Sequence, residues 1–477
     1  GRTQVTAALQ SPALMLIENV RQFAEGASLQ EPGSTGTTGS QESISDAPLY
    51  WTDLGEAASG ETSIFGLIGI PGGKIVGGTY GSGTPYLFKY DIAASTFTPK
   101  MQIPGPGSHV ARLAQGPGTQ VYVSTSRKFG KRNLASYDPE SGILANLGTF
   151  GDEYGEALAV GSDGKVYVGS CCQGKLSIYD PHTGSWAYMG TIIPDQRRLS
   201  GLTVGLDGNI YGVTSRIWVP PYGGAILYKF DPASQSTTVI ETIWPGERES
   251  WNIVTNARDG RLYGSVGYGM TARLFVFDPA NPQLGIEDLG ATVEGADEVS
   301  AGALAIASDG KVYAVVNPGV CCHMVVYDPF NPSAGIVDLG PVGEGHGPLA
   351  FGTDGRLYGT SGNHLLRSNA VGGGGPTYAT SGRVVDGNGY PIAGVTISAN
   401  GGYWATTDAD GRYSLSGLPA GEYALRAAKT SFVFTPETLN VTLDRDRVNQ
   451  NFRGRAIACA VPLAEPFLEF PVRYGSD

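Results

Sequence analysis

One pattern recurs seven times along this chain of 477 residues, and its last copy is split between the two ends of a long segment. The clearest copies run SDGKVYVGS…KLSIYDPHTGSWAYMG from Ser162 and SDGKVYAVV…MVVYDPFNPSAGIVDLG from Ser308. Each reads as a short apolar strand, an Asp-Gly turn, a second apolar strand and a variable loop. An aromatic strand closed by Asp-Pro follows, and the full copy ends in a fourth strand with Asp-Leu-Gly. Turns at Gly72, Gly118, Asp163, Asp207, Asp259, Asp309 and Asp354 define repeats 1 to 7, at spacings of 44 to 52 residues. Four strands at that period make one blade of a β-propeller.

Repeat 7 begins with LAFGTDGRLYGTSG at Leu349, reaches its third strand at His364, and then runs into the glycines after Val371 without a fourth strand. The missing strand, PLYWTDLGE, stands at Pro48, ahead of repeat 1. A three-stranded blade would leave an edge of unpaired backbone groups open to aggregation. The expectation is therefore an all-β chain in which a seven-bladed propeller spans 47–371, with strand 48–56 completing blade 7.

The flanks differ from the repeats. Ser11-Pro12 before ALMLIENVRQFAEG is a capped helix start, so a short N-terminal helix is expected, followed by a Gly/Ser/Thr-rich linker; together they fill 1–46. A Gly-rich linker covers 372–380, and the Pro-spaced stretch 455–477 reads as an extended tail. Between them, SGRVVDGNGYPIAGVTI, TDADGRYSLSGLPAGEYAL and TPETLNVTL alternate apolar and polar residues in short runs. These motifs closely resemble the carboxypeptidase-regulatory-like (transthyretin-like) domain. The resemblance implies a Greek-key β-sandwich over 381–454, usually a non-catalytic accessory of secreted or surface proteins. Asp408 and Asp410 lack the other ligands of a calcium loop and read as a hairpin turn.

A net charge of −12 argues against non-specific nucleic-acid binding. No apolar run approaches the 18 residues of a membrane span. Four of the five cysteines form adjacent pairs, Cys171-Cys172 and Cys321-Cys322, in equivalent loops of repeats 3 and 6. Their spacing is not that of a zinc site. Vicinal disulfides are the expected use, and they imply an oxidising setting, extracellular or on a bacterial surface. The DGKVY…YDP repeat is similar to that of several extracellular seven-bladed families, among them polysaccharide lyases, sugar-binding proteins and streptogramin-lyase-like proteins.

In such a ring the loops between strands 2 and 3 share one face with the loops between blades. The Asp-Gly and Asp-Pro turns lie on the other, and their aspartates read as turn caps. Four of the five histidines, His109, His323, His346 and His364, map to the loop face. His109, His346 and His364, with Arg112, form the catalytic candidates. If the chain is an enzyme, a histidine would take a proton while Arg112 holds a uronate, which is polysaccharide lyase chemistry. A second cluster contains Trp218, Tyr222 and Trp251, flat rings suited to stacking on sugars, with Arg197 and Arg198 for carboxylates. No metal site is defined; calcium or a transition metal are the cofactor candidates, from the acidic loops and the histidines respectively. Two functions stay open. The first is a secreted or cell-surface propeller that binds or processes glycans. The second is a structural subunit of a surface layer or filament that self-assembles through 1–46 or the tail.

Overall fold

The computed structural model describes residues 49–456, apart from 127–131, 151–154, 172, 195, 197, 216–223, 244–248, 268–270, 297, 319–320, 344–346, 370–376, 400–402, 420, 430–431 and 444. The expected N-terminal helix and linker lie outside the described residues. So do Cys172, Arg197, Trp218, Tyr222, His346 and nearly all of the tail.

Among the described residues the chain is all-β, with two short 3-10 turns, Pro282–Leu284 and Pro332–Ala334, and no α-helix. Among the described residues no helix is long and apolar enough to cross a membrane. Repeats 3, 4, 5 and 6 each form a separate four-stranded antiparallel sheet in strand order 1-2-3-4. Repeats 1 and 2 share one nine-stranded sheet, joined by the single pair Tyr80↔His109. Repeat 7 takes its fourth strand from the start of the described chain, where Trp51–Glu56 pairs antiparallel with His364–Ser368.

First strands of successive repeats lie side by side. That of repeat 7, Ala350–Phe351, lies against Ser63–Ile70 of repeat 1. The approach is close: a Cβ on Gly69 would stand 1.9 Å from the Phe351 carbonyl oxygen, so only glycine fits there. Second strands are covered on both faces, as in the fully buried Val121–Ser126, Ile210–Ser215 and Leu262–Val266, which start apolar and carry small buried Ser or Thr residues toward the loop end. Fourth strands are half exposed, as in Trp51–Glu56 and Ser185–Thr191. Each fully buried aliphatic or aromatic side chain in the shared cores contributes roughly 1.5–3 kcal/mol.

The turn aspartates serve the backbone and one another side chain. In repeat 3, Asp163 Oδ1 accepts the Lys165 amide at 3.2 Å and Oδ2 accepts the Tyr167 hydroxyl at 2.8 Å. The same latch joins Asp207 to Tyr211, Asp259 to Tyr263 and Asp354 to Tyr358, at 2.9, 2.6 and 3.0 Å. Burial, with the adjacent carboxylate, raises all four phenol pKa values, which keeps them as donors.

Asp-Leu-Gly at the end of the fourth strand is a bulge. Asp53, Asp288 and Asp338 each accept the amide of the glycine two residues on at 2.8 Å. Gly55, Gly290 and Gly340 have φ of 105°, 110° and 96°, and the ladder register slips at each. A left-handed glycine on one strand of an antiparallel pair lets the edge strand bend away at the loop end.

The C-terminal segment packs two four-stranded sheets face to face. One is ordered Arg412–Pro419, Thr377–Val385, Phe452–Ala456, Phe432–Thr435; the other Tyr403–Thr406, Thr396–Ala399, Gly421–Ala428, Leu439–Leu443. Val384, Val395, Ile397, Leu425 and Phe452, all fully buried, fill the space between.

Candidate functional site

His109 opens the first strand of repeat 2, Tyr80 closes the second strand of repeat 1, and Phe65 is third in the first strand of repeat 1. All three therefore stand at the loop end of their strands. Backbone pairing of Tyr80 with His109 brings the rings together. The His109 ring lies 5.0 Å from Tyr80 and 5.8 Å from Phe65, both edge-on, and the Phe65–Tyr80 centroids are 5.9 Å apart. Phe65 and Tyr80 nevertheless remain 40% and 47% exposed.

The loop around them is tied down. The Tyr80 carbonyl accepts the Thr62 amide at 3.1 Å and the Thr62 hydroxyl at 2.9 Å. Next to it, buried Glu61 accepts the Ser82 amide at 3.1 Å and meets Lys100 Nζ at 3.0 Å. Burial opposes the charge on Glu61, but these donors outweigh it and its pKa is lowered. Phe65 itself sits in a bulge, because the register between the first two strands slips between Ile64 and Gly66. The same slip in repeats 2 and 4 falls on Ala111 and Ser200, so repeat 1 carries a large ring where those repeats carry small groups.

Ser108 Oγ stands 3.1 Å from Nδ1 of His109 and 3.0 Å from the Ser126 carbonyl, which also accepts the Ser108 amide at 2.8 Å. In the tautomer where the hydroxyl donates to the carbonyl, Nδ1–H donates to Oγ and Nε2 carries the lone pair. Burial lowers the imidazole pKa to about 4, and the ring is neutral at physiological pH. The group can accept a hydrogen bond or a proton, and beside two exposed rings it completes an aromatic surface with one acceptor.

The other histidines are placed differently. His364 is first and His323 second in its third strand, and each Nδ1 meets the Asp-Leu-Gly aspartate of the neighbouring edge strand, Asp53 and Asp338, at 2.9 Å. Arg273 occupies the matching place in repeat 5 and forks onto Asp288. These are cross-strand pairs of the repeat, and His364 is not gathered with His109. His182 lies in a turn on the opposite face, near Gly164. Arg112 Nη1 donates to the Ala111 carbonyl at 2.9 Å. Among the described residues no three His, Cys, Asp or Glu side chains come together as metal ligands.

Of the second cluster, Arg198 and Trp251 do meet: the guanidinium carbon lies 4.6 Å from the indole centre. Trp251 is half buried, so this ring packs the repeat 4–5 junction. Cys171 is buried in the loop between the second and third strands of repeat 3, Cys322 is buried at the start of the third strand of repeat 6, and Cys321 before it carries a thiol. Phe65 and Tyr80 were not among the residues expected from the sequence. Their signal is a bulky ring at a position that is Ala or Ser in repeats 2 and 4, and a tyrosine just before the Gly-rich loop Gly81–Gly83.

Residues 379–453 match the carboxypeptidase regulatory-like domain. No curated protein matches the chain by sequence. Among solved structures, a streptogramin B lyase is similar at TM-score 0.55 and 11% identity, over 68% of this chain and 98% of that one. A virginiamycin B lyase from Staphylococcus aureus, a catalytically inactive form with quinupristin, gives 0.54 and 12% over 67% and 99%. A fungal alcohol oxidase of the AA5 family in complex with copper gives 0.52 and 12% over 80% and 96%. At these identities the likeness is one of fold, which is propeller-like, followed here by a carboxypeptidase regulatory-like domain.

Proposed function

We propose that the chain is a secreted or cell-surface protein whose seven repeats close a seven-bladed ring, and that it binds a glycan at the loop end of repeats 1 and 2. The observation that carries this reading is the exposure of Phe65 and Tyr80 around a neutral His109. Water-exposed rings held at fixed spacing suit the CH face of a sugar, and an unprotonated Nε2 suits a hydroxyl donor. A regulatory-like sandwich is common on extracellular proteins and supports the location. The similar structures include lyases and an alcohol oxidase, so the fold leaves the chemistry open. If the site is also catalytic, His109 is the proton acceptor and the reaction is a lyase cleavage of a uronate-containing polymer.

A glycan array on the full chain, repeated with Phe65→Ala and Tyr80→Ala, tests the reading. Loss of one stacked ring, about 1 kcal/mol, weakens binding roughly fivefold per variant. Glycan binding unchanged in both variants, or absent from the unaltered protein, refutes it. Unsaturated uronide release that His109→Gln abolishes would add the lyase activity.

A further inference from the structure

The turn face carries an uneven charge pattern. Repeats 3 to 7 have Asp163, Asp207, Asp259, Asp309 and Asp354 in their first turns, whereas repeats 1 and 2 have Gly72 and Gly118. Repeat 1 also has Val76 where the latch would need its tyrosine. Two adjacent turns thus lack an aspartate of their own, and the charges beside Gly72 are the side chains of Glu140 and of Lys74, which pairs with Asp91.

The sandwich rests on that bare stretch. Tyr403, Trp404 and Leu415 line one crevice together with Pro71, Gln115 and Gly118. The Trp404 ring also comes within 3.8 Å of the place a Cβ would take on Gly164, in the turn of repeat 3. These contacts fall on the turns of repeats 1, 2 and 3. Seating aromatic rings against a turn aspartate would strip water from a carboxylate, which is costly without a partner. Glycine turns avoid that cost.

We propose that the sandwich is a fixed cap on the turn face, seated through Tyr403 and Trp404 on the glycine turns of repeats 1 and 2, and that it closes that end of the ring. A ligand then reaches the ring only from the loop face, where Phe65, Tyr80 and His109 stand.

Hydrogen exchange on the full chain tests the cap. The amides of Gly116 and Gln120 are bonded within the repeat 2 turn, to the Gln120 and Pro117 carbonyls. Trp404→Ala removes the ring from the sandwich side, and Gln115→Glu puts a carboxylate into the crevice from the propeller side. Each variant should speed exchange at 116–120 about tenfold while leaving the repeat 6 turn at 309–311 unchanged. Exchange at 116–120 that stays the same in either variant overturns the proposal. So does a rise shared equally by the repeat 6 turn.

Discussion

His109 shows what one partly buried ring contributes and where it is vulnerable. Its folded pKa of about 4 lies below the usual imidazole value of 6.5. The unfolded chain therefore binds the proton first as the pH falls, and folding stability drops. The full contribution is present above pH 6.5 and is lost progressively toward pH 4. His109→Gln keeps a polar group beside Ser108 without the titration. Denaturant unfolding at pH 7.5 and pH 4.5 should show a smaller loss in the variant than in the unaltered protein; equal losses would exclude His109 as the titrating group. The residue was legible in the sequence as a loop-face histidine, and its partners were not. Phe65 and Tyr80 come from the neighbouring repeat, and only the Tyr80↔His109 pairing brings them over it. His323 and His364 looked equivalent to His109 in the sequence, yet the recurring Asp-Leu-Gly supplies Asp338 and Asp53 as their partners. That pairing depends on cross-strand register, which a repeat alignment does not display.

At the scale of the element, the repeat is held by two local devices spelled directly in the chain. The D-G-x-x-Y latch ties the turn to the second strand, and the Asp-Leu-Gly bulge bends the edge strand. The strand order and the turns were readable because period-two apolar runs and Asp-Gly punctuation leave little choice. The tyrosine was less readable: its side chain looks like another apolar core residue until its hydroxyl is seen on the aspartate. A charge-assisted hydrogen bond at a partly exposed turn is worth about 1 kcal/mol. Tyr167→Phe should therefore lower unfolding free energy by about that amount. Tyr122→Phe is the internal control, since Gly118 stands where repeat 2 would need the carboxylate. Its stability should change by less than about 0.5 kcal/mol. Urea midpoints of the two variants decide the matter, and equal effects would mean that the aspartate adds nothing to the latch.

Over the whole molecule, closure joins residues more than 300 positions apart. Trp51 pairs with Ser368, and Tyr50 donates its amide to the Asn369 side chain at 3.2 Å. The Trp51 ring packs over Gly359, where a Cβ would stand 3.2 Å from the indole, and against the core shared by repeats 6 and 7. Among the described residues this strand completes the sheet of repeat 7 from the other end of the chain, so it works as a clasp whose loss exposes the edge His364–Ser368. Truncating a large, largely packed aromatic leaves a cavity that the surrounding strands cannot fill. Trp51→Ala should cost about 3 kcal/mol. The loss should first appear as local opening, because only one strand's packing is released. Amides of His364–Ser368 that bond to Trp51–Glu56 should exchange faster, while those of the repeat 4 second strand, Ile210–Ser215, keep their protection until global unfolding. If both strands lose protection together, the ring unfolds as one cooperative unit and the clasp is no weaker than the other junctions. If only the first does, the split repeat is the place where this fold opens.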